Sequence, residues 1–141
     1  MVKMSFAFGH NVQDGLTLAV GSPEYNCESG IGCQGRFQVF RWHDADNDWV
    51  LMGNQTFDGD LPSTGRLSSF GFALVTNGGG DLVVAGEPLK SLGSGVYGCV
   101  RSYEWVGGPD PRLGSWTEMP MISGEYDLSL FGTSLALSGS G

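Results

Sequence analysis

Positive charge is scarce in this sequence: seven Lys and Arg stand against fifteen Asp and Glu in 141 residues, a formal net charge of −8. The seven are dispersed as Lys3, Arg36, Arg41, Arg66, Lys90, Arg101 and Arg112. Without a basic patch, nucleic acid and anionic membrane are poor partners. No apolar run approaches the ~20 residues of a membrane span, and Met1-Val-Lys-Met-Ser-Phe6 does not open a signal peptide with a continuous apolar core. The expectation is a soluble chain without an address of its own. His10 and His43 are the only histidines, too few for most zinc sites, and no cysteine stands at ligand spacing from them. Nor is there a Gly-x-Ser-x-Gly elbow to anchor serine hydrolase chemistry.

Cysteine is sparse as well, with three residues. Cys27 and Cys33 are close together in a glycine-rich stretch, where they either close a small disulfide in an oxidising compartment or remain two free thiols. Cys99 sits alone in a strand-like segment and reads as a small core residue.

Helical periodicity is missing too; apolar residues nowhere keep a 3.6-residue period for three turns. What the chain has is glycine, 24 residues of it, and an internal repeat. Ser5-Phe6-Ala7-Phe8 followed by Leu16 to Pro23 is answered by Ser69-Phe70-Gly71-Phe72 followed by Asp81 to Pro88. Phe6 and Phe70 lie 64 positions apart, and Gly21 and Gly86 lie 65 apart. The segment from Gly35 to Trp42 matches that from Gly98 to Trp105, and the one from Asp48 to Met52 matches that from Ser115 to Met119, so all four tryptophans have counterparts. A third copy opens at Leu130-Phe131-Gly132.

Each repeat holds short segments rich in β-branched and aromatic residues, punctuated by turn formers. Four strands per repeat are expected, near residues 5–12, 16–22, 35–42 and 48–55, then 69–76, 81–87, 98–105 and 115–121. Phe37, Val39 and Arg41 alternate with Gln38, Phe40 and Trp42, so the third strand carries large side chains on both faces, as a sheet between neighbouring sheets would. The expected fold is all-β and propeller-type: two four-stranded antiparallel blades, residues 1–67 and 68–129, plus the opening strand of a third, residues 130–141. A single sandwich is the second choice, though it would not require such close repetition.

Three motifs invite chemical readings. In His43-Asp44-Ala-Asp46-Asn-Asp48 the alternating Asp44, Asp46 and Asp48 begin as a calcium loop does. The pattern then breaks, because Trp49 and Gln55 stand where glycine and a bidentate glutamate are needed, and a solvated turn is the competing reading. Gly30-Ile-Gly32-Cys-Gln-Gly35 and Gly93-Ser-Gly95-Val-Tyr-Gly98 both spell a dinucleotide fingerprint, but each leads into a strand and offers no helix N-terminus to a pyrophosphate. Asn54-Gln-Thr56 is a glycosylation sequon on an outer strand. The four tryptophans recur at matching positions and so read as packing between blades, in preference to stacking platforms for sugars.

At Phe70-Gly71, Gly86-Glu-Pro88 and Phe131-Gly132-Thr-Ser-Leu-Ala-Leu-Ser-Gly139 the chain resembles the FG-GAP repeat family, the blades of integrin α-type propellers. The first opening departs from that pattern with Phe6-Ala7, as do Ser22 and Glu87 in the closing triplets. In that family calcium commonly sits between the first two strands; the matching loops 11–15 and 77–81 carry one carboxylate each, too few for tight binding, so no cofactor is expected. The resemblance implies a non-catalytic binding or adhesion scaffold, extracellular or at the cell surface. Protein or glycan ligands would meet loops such as 24–34 and 90–94. Two blades and a strand do not close a ring, so the chain is either part of a longer protein or self-associates through open blade faces. The alternative is a lectin-like carbohydrate-binding module with sites between blades.

Overall fold

The computed structural model describes residues 4–11, 15–28, 32–60, 68–93 and 95–141. The first repeat forms β1 (Ser5–Asn11), β2 (Gly15–Ser22), a short ladder of β3 (Cys27–Glu28) with β4 (Gly32–Cys33), then β5 (Arg36–His43) and β6 (Asp48–Asp58). The second forms β7 (Leu74–Thr76), β8 (Leu82–Glu87), a matching ladder of β9 (Ser91–Leu92) with β10 (Gly95–Val96), then β11 (Cys99–Gly107), β12 (Gly114–Glu118) and β13 (Ile122–Ser123). The fold is all-β. Its two main sheets run β1-β2-β5-β6 and β7-β8-β11-β12, every strand antiparallel to its neighbour.

The sheets lie face to face, with β1 against β7 and β6 against β12. Strand alternation supplies the core between them. Ala19, Phe37, Val39, Met52 and Phe57 from the first repeat meet Phe70, Val83, Ala85, Tyr103, Trp105 and Trp116 from the second. Phe57 stacks on Phe37 with centroids 4.4 Å apart, and Tyr103 stands 4.6 Å from Phe57. Burying such rings stabilises the contact by about 1.5–3 kcal/mol per side chain.

Close approach of the sheets depends on glycine. Gly35 forms a parallel bridge to Phe70, and Gly98 forms the same bridge to Phe131 in the third opening. Gly35 and Gly98 have φ of 75° and 72°, a region open to glycine at little cost.

Three expected strands differ from the observed ones. Residues 69–73 leave the sheet before β7 begins, because Ser69 and Gly71 adopt positive φ (56° and 77°) and turn Phe70 into the core. In the first repeat Ala7 replaces the glycine, and β1 runs straight from Ser5 to Asn11. The fourth strand of the first repeat extends to Asp58 and carries a bulge: β6 passes from Leu51, opposite Phe40, to Thr56, opposite Gln38. In the second repeat the same path is broken into β12 and β13 around Pro120, which has no N–H for a ladder.

Candidate functional site

The β6 bulge shapes a junction where polar side chains gather beside the aromatic core. Gly53 (φ 63°) and Asn54 (φ 52°) bend the strand, and bulges commonly re-aim side chains in this way. The Gly53 N–H donates to the Pro111 carbonyl at 2.7 Å, and the Trp116 N–H donates to Gln55 Oε1 at 2.7 Å, tying β6 to the second sheet. Beyond this tie a cleft of about 300 Å³ opens between the outer strands, lined by Gln55, Asp58, Arg101, Tyr103, Trp116 and Glu118, among others.

Its charged groups are held in two forked pairs. Arg101 donates from Nε and Nη2 to Glu118 at 2.7 and 3.0 Å, while Arg36 donates to Asp58 at 2.5 and 2.8 Å. Such paired geometry is strong and directional. Burial works against the Arg101 charge, but Glu118 and nearby groups outweigh it and hold its pKa above the usual value. Arg101 in turn keeps the Glu118 carboxyl below the ordinary range, and burial pushes the Tyr103 phenol up.

A second cluster surrounds Glu87, which is fully buried. Its carboxylate accepts from Ser68 Oγ, lies 3.5 Å from Cys99 Sγ and 3.6 Å from Lys90 Nζ, and Lys90 also pairs with Asp60. Burial raises the Glu87 pKa against the opposing pull of Ser68 and Lys90. Burial and Glu87 push the Cys99 thiol up to about 12, so it remains protonated and inert as a nucleophile at neutral pH.

The residues singled out in the sequence fall elsewhere. Asp44, Asp46 and Asp48 are exposed at the β5–β6 turn. Asp46 is occupied by Arg112 and lies 3.1 Å from His43 Nδ1, and Asp48 accepts from the Trp49 N–H at 2.7 Å. Among the described residues no group of three or more His, Cys, Asp or Glu side chains comes together to hold a metal ion. Asn54 is exposed on the bulge. Cys27 and Cys33 face one another across the β3/β4 ladder and are joined by a disulfide.

Loop 24–34 is braced by Tyr25 against the Arg36 guanidinium at 3.7 Å and by Gln34 donating to the Gly59 carbonyl at 2.7 Å. Residues 12–14, 29–31, 61–67 and 94, with the His10 side chain, lie outside the described residues, and with them Asp14, parts of both candidate loops and the first repeat boundary.

Sequence reasoning missed the cleft, since the bulge that builds it carries no signal stronger than Gly53-Asn54 within a strand. No known protein family matches the sequence, and no curated protein matches it.

Proposed function

We propose that this protein is a non-catalytic binding scaffold of β-propeller type, built from FG-GAP-like blades whose open faces are covered by further sheets of the same kind. The observation that carries the reading is the recurrence of one junction. The Gly35–Phe70 bridge between the sheets returns as Gly98–Phe131, and the Gly59 N–H to Gly35 carbonyl bond (3.1 Å) returns as Gly124 to Gly98 (3.0 Å).

Exposure follows the same logic. Phe70 is 0% exposed where the first sheet covers it, whereas its counterpart Phe6 is 55% exposed. Phe57 is buried, but Ile122, at the matching place opposite β11, is 61% exposed. The uncovered face of the first sheet carries Phe6, Leu18, Val20, Phe40, Trp42, Trp49 and Leu51, paired across β1, β2, β5 and β6. A contiguous apolar face of this kind favours association.

Ligands would meet the loops 24–34 and 90–94, which differ between repeats. The Cys27–Cys33 disulfide supports an extracellular or cell-surface setting. Solution mass by light scattering across a concentration series tests the scaffold reading. Association through the open faces is the expected result, and a monomer that neither associates nor binds an apolar dye would overturn it.

A further inference from the structure

We infer that residues 130–141 open a sheet whose remaining strands, β2, β5 and β6, come from a second copy of this chain, so that copies join head to tail by exchanging an opening strand. The inference names the partner of the open faces proposed above and rests on that reading.

The third opening already has the shape of the second. Residues 70–80 and 131–141 match at a constant spacing of 61 positions without a gap. Leu130 and Gly132 take positive φ (51° and 90°), as Ser69 and Gly71 do. The Thr133 N–H donates to the Leu130 carbonyl at 3.2 Å and the Gly141 N–H to the Ser138 carbonyl at 3.0 Å, repeating Phe72 to Ser69 and Gly80 to Asn77, both 3.1 Å. The Gly132 carbonyl packs over Gly86 as the Gly71 carbonyl packs over Gly21.

The ladder is what the third opening lacks. Leu74, Val75 and Thr76 pair with Ala85, Val84 and Val83 of β8, whereas Leu135, Ala136 and Leu137, at the same places, belong to no strand. Phe131 stays 39% exposed where Phe70 is 0% exposed. Unpaired backbone beside an apolar face takes up a strand from another chain.

The strand that fits is β2. Leu18, Ala19 and Val20 stand in the first repeat where Val83, Val84 and Ala85 stand in the second. The sheet around β2 also offers the right face. The second sheet packs on the first through Val83, Ala85, Tyr103, Trp105 and Trp116, all buried. The first sheet carries Leu18, Val20, Phe40, Trp42 and Trp49 at the matching places, on its uncovered face. The junction inside the chain thus continues outward, with the uncovered face of one copy against the far side of another copy's second sheet. Such a heterologous contact runs in one direction and closes into a ring where the rotation allows. With two sheets per copy, a propeller of roughly four to eight blades needs about two to four copies.

The exchange displaces β1. Phe6, Ala7 and Phe8 lie opposite Val20, Ala19 and Leu18, the places that Leu135, Ala136 and Leu137 take in the register of β7 on β8. β1 is the poorer fit to a covered junction, since Phe6 is 55% exposed and Ala7 stands where both other openings have glycine.

Ala136 is exposed, and its counterpart Val75 lies two residues from Asn77, whose N–H donates to the Leu82 carbonyl, so both are bonded positions of the ladder. Ala136→Pro removes that N–H and leaves every ladder of the free chain intact. Light scattering across a concentration series should show a discrete oligomer for the parent, and for Ala136→Pro a dissociation constant raised at least about tenfold, with an unchanged urea midpoint in dilute solution. Leu18→Cys with Leu137→Cys supplies a second measurement. Within one chain Leu18 lies on the uncovered face of the first sheet and Leu137 beyond the second, so the two thiols meet only between copies. Oxidation should link copies in this double variant far more than in either single variant, as read on a non-reducing gel.

Association of Ala136→Pro equal to the parent's, or linkage in the double variant no greater than in the single ones, overturns the exchange and leaves the scaffold's faces meeting in another way. A parent that stays monomeric yet binds an apolar dye also overturns it, and leaves the open edge to a strand from another protein. A monomer without dye binding removes the scaffold together with the exchange.

Discussion

Gly35 lies so close against Phe70 that a Cβ on the glycine would stand 2.9 Å from the Phe70 Cα, and nearer still to its backbone N and O. Backbone cannot swing aside as a flexible side chain can, and φ at Gly35 is positive. Gly35→Ala is therefore expected to destabilise the protein by about 3 kcal/mol through combined strain and separation of the sheets. Gly93 shares the positive φ (62°) but has nothing within 4 Å of a Cβ, so Gly93→Ala should cost only about 1 kcal/mol. Urea unfolding of both variants provides the comparison; equal losses would mean that the Gly35–Phe70 contact contributes nothing beyond backbone strain.

The two cross-strand tryptophan pairs make a second contrast. Trp105 and Trp116 stand 5.4 Å apart inside the core, while Trp42 and Trp49 stand 5.7 Å apart on the uncovered face. Trp42→Glu removes one aromatic pair and should lower stability by about 1 kcal/mol, yet sharply reduce association in light scattering. Trp105→Ala opens the core and should cost about 3–5 kcal/mol. Unchanged association in Trp42→Glu would show that the uncovered face is not where copies meet.

The repeat, the strand class and the strand order within each sheet were legible because turn residues and aromatics return at spacings of 63 to 67 positions, as Trp42 with Trp105 and Trp49 with Trp116 show. Less legible was where a strand bends. Residues 69–73 have good strand composition, and only a preceding sheet, pulling Phe70 toward Gly35, turns them away. The burial of Glu87 also escaped notice, since a charged residue at the end of a strand looks solvent-facing until the neighbouring segments are in place. The cleft needed both sheets and a bulge, and lies in no single segment.

Disulfide linkage of Cys27 to Cys33 closes a loop with a sequence separation of 6. Chain-entropy arguments assign so short a loop about 2 kcal/mol. Cys27→Ser with Cys33→Ser should therefore lower unfolding free energy by about that amount while leaving the two main sheets and their far-ultraviolet spectrum unchanged. Loss of folding in the double variant would place the β3/β4 ladder within the cooperative core.

Glu87 couples the junction to pH. Burial raises its pKa above the ordinary value of 4.5, whereas Asp60 and Glu118 are held low by Lys90 and Arg101. A carboxyl easier to protonate in the folded chain favours folding as pH falls through its raised value, and the gain levels off below the unfolded value. Asp60 and Glu118 act in the opposite sense, because their stabilisation is present above the unfolded values and is lost as acid protonates them in the folded state. Glu87→Gln isolates the first effect. The amide keeps an acceptor for Ser68 Oγ and carries no charge to desolvate, so the variant should exceed the parent in stability by about 1 kcal/mol near neutral pH. That advantage should shrink as pH is lowered from neutral toward the ordinary carboxyl value of 4.5, followed by urea unfolding at each step. A gap that stays constant with pH would mean that Glu87 is held by its hydrogen bonds alone, with no titration linked to folding.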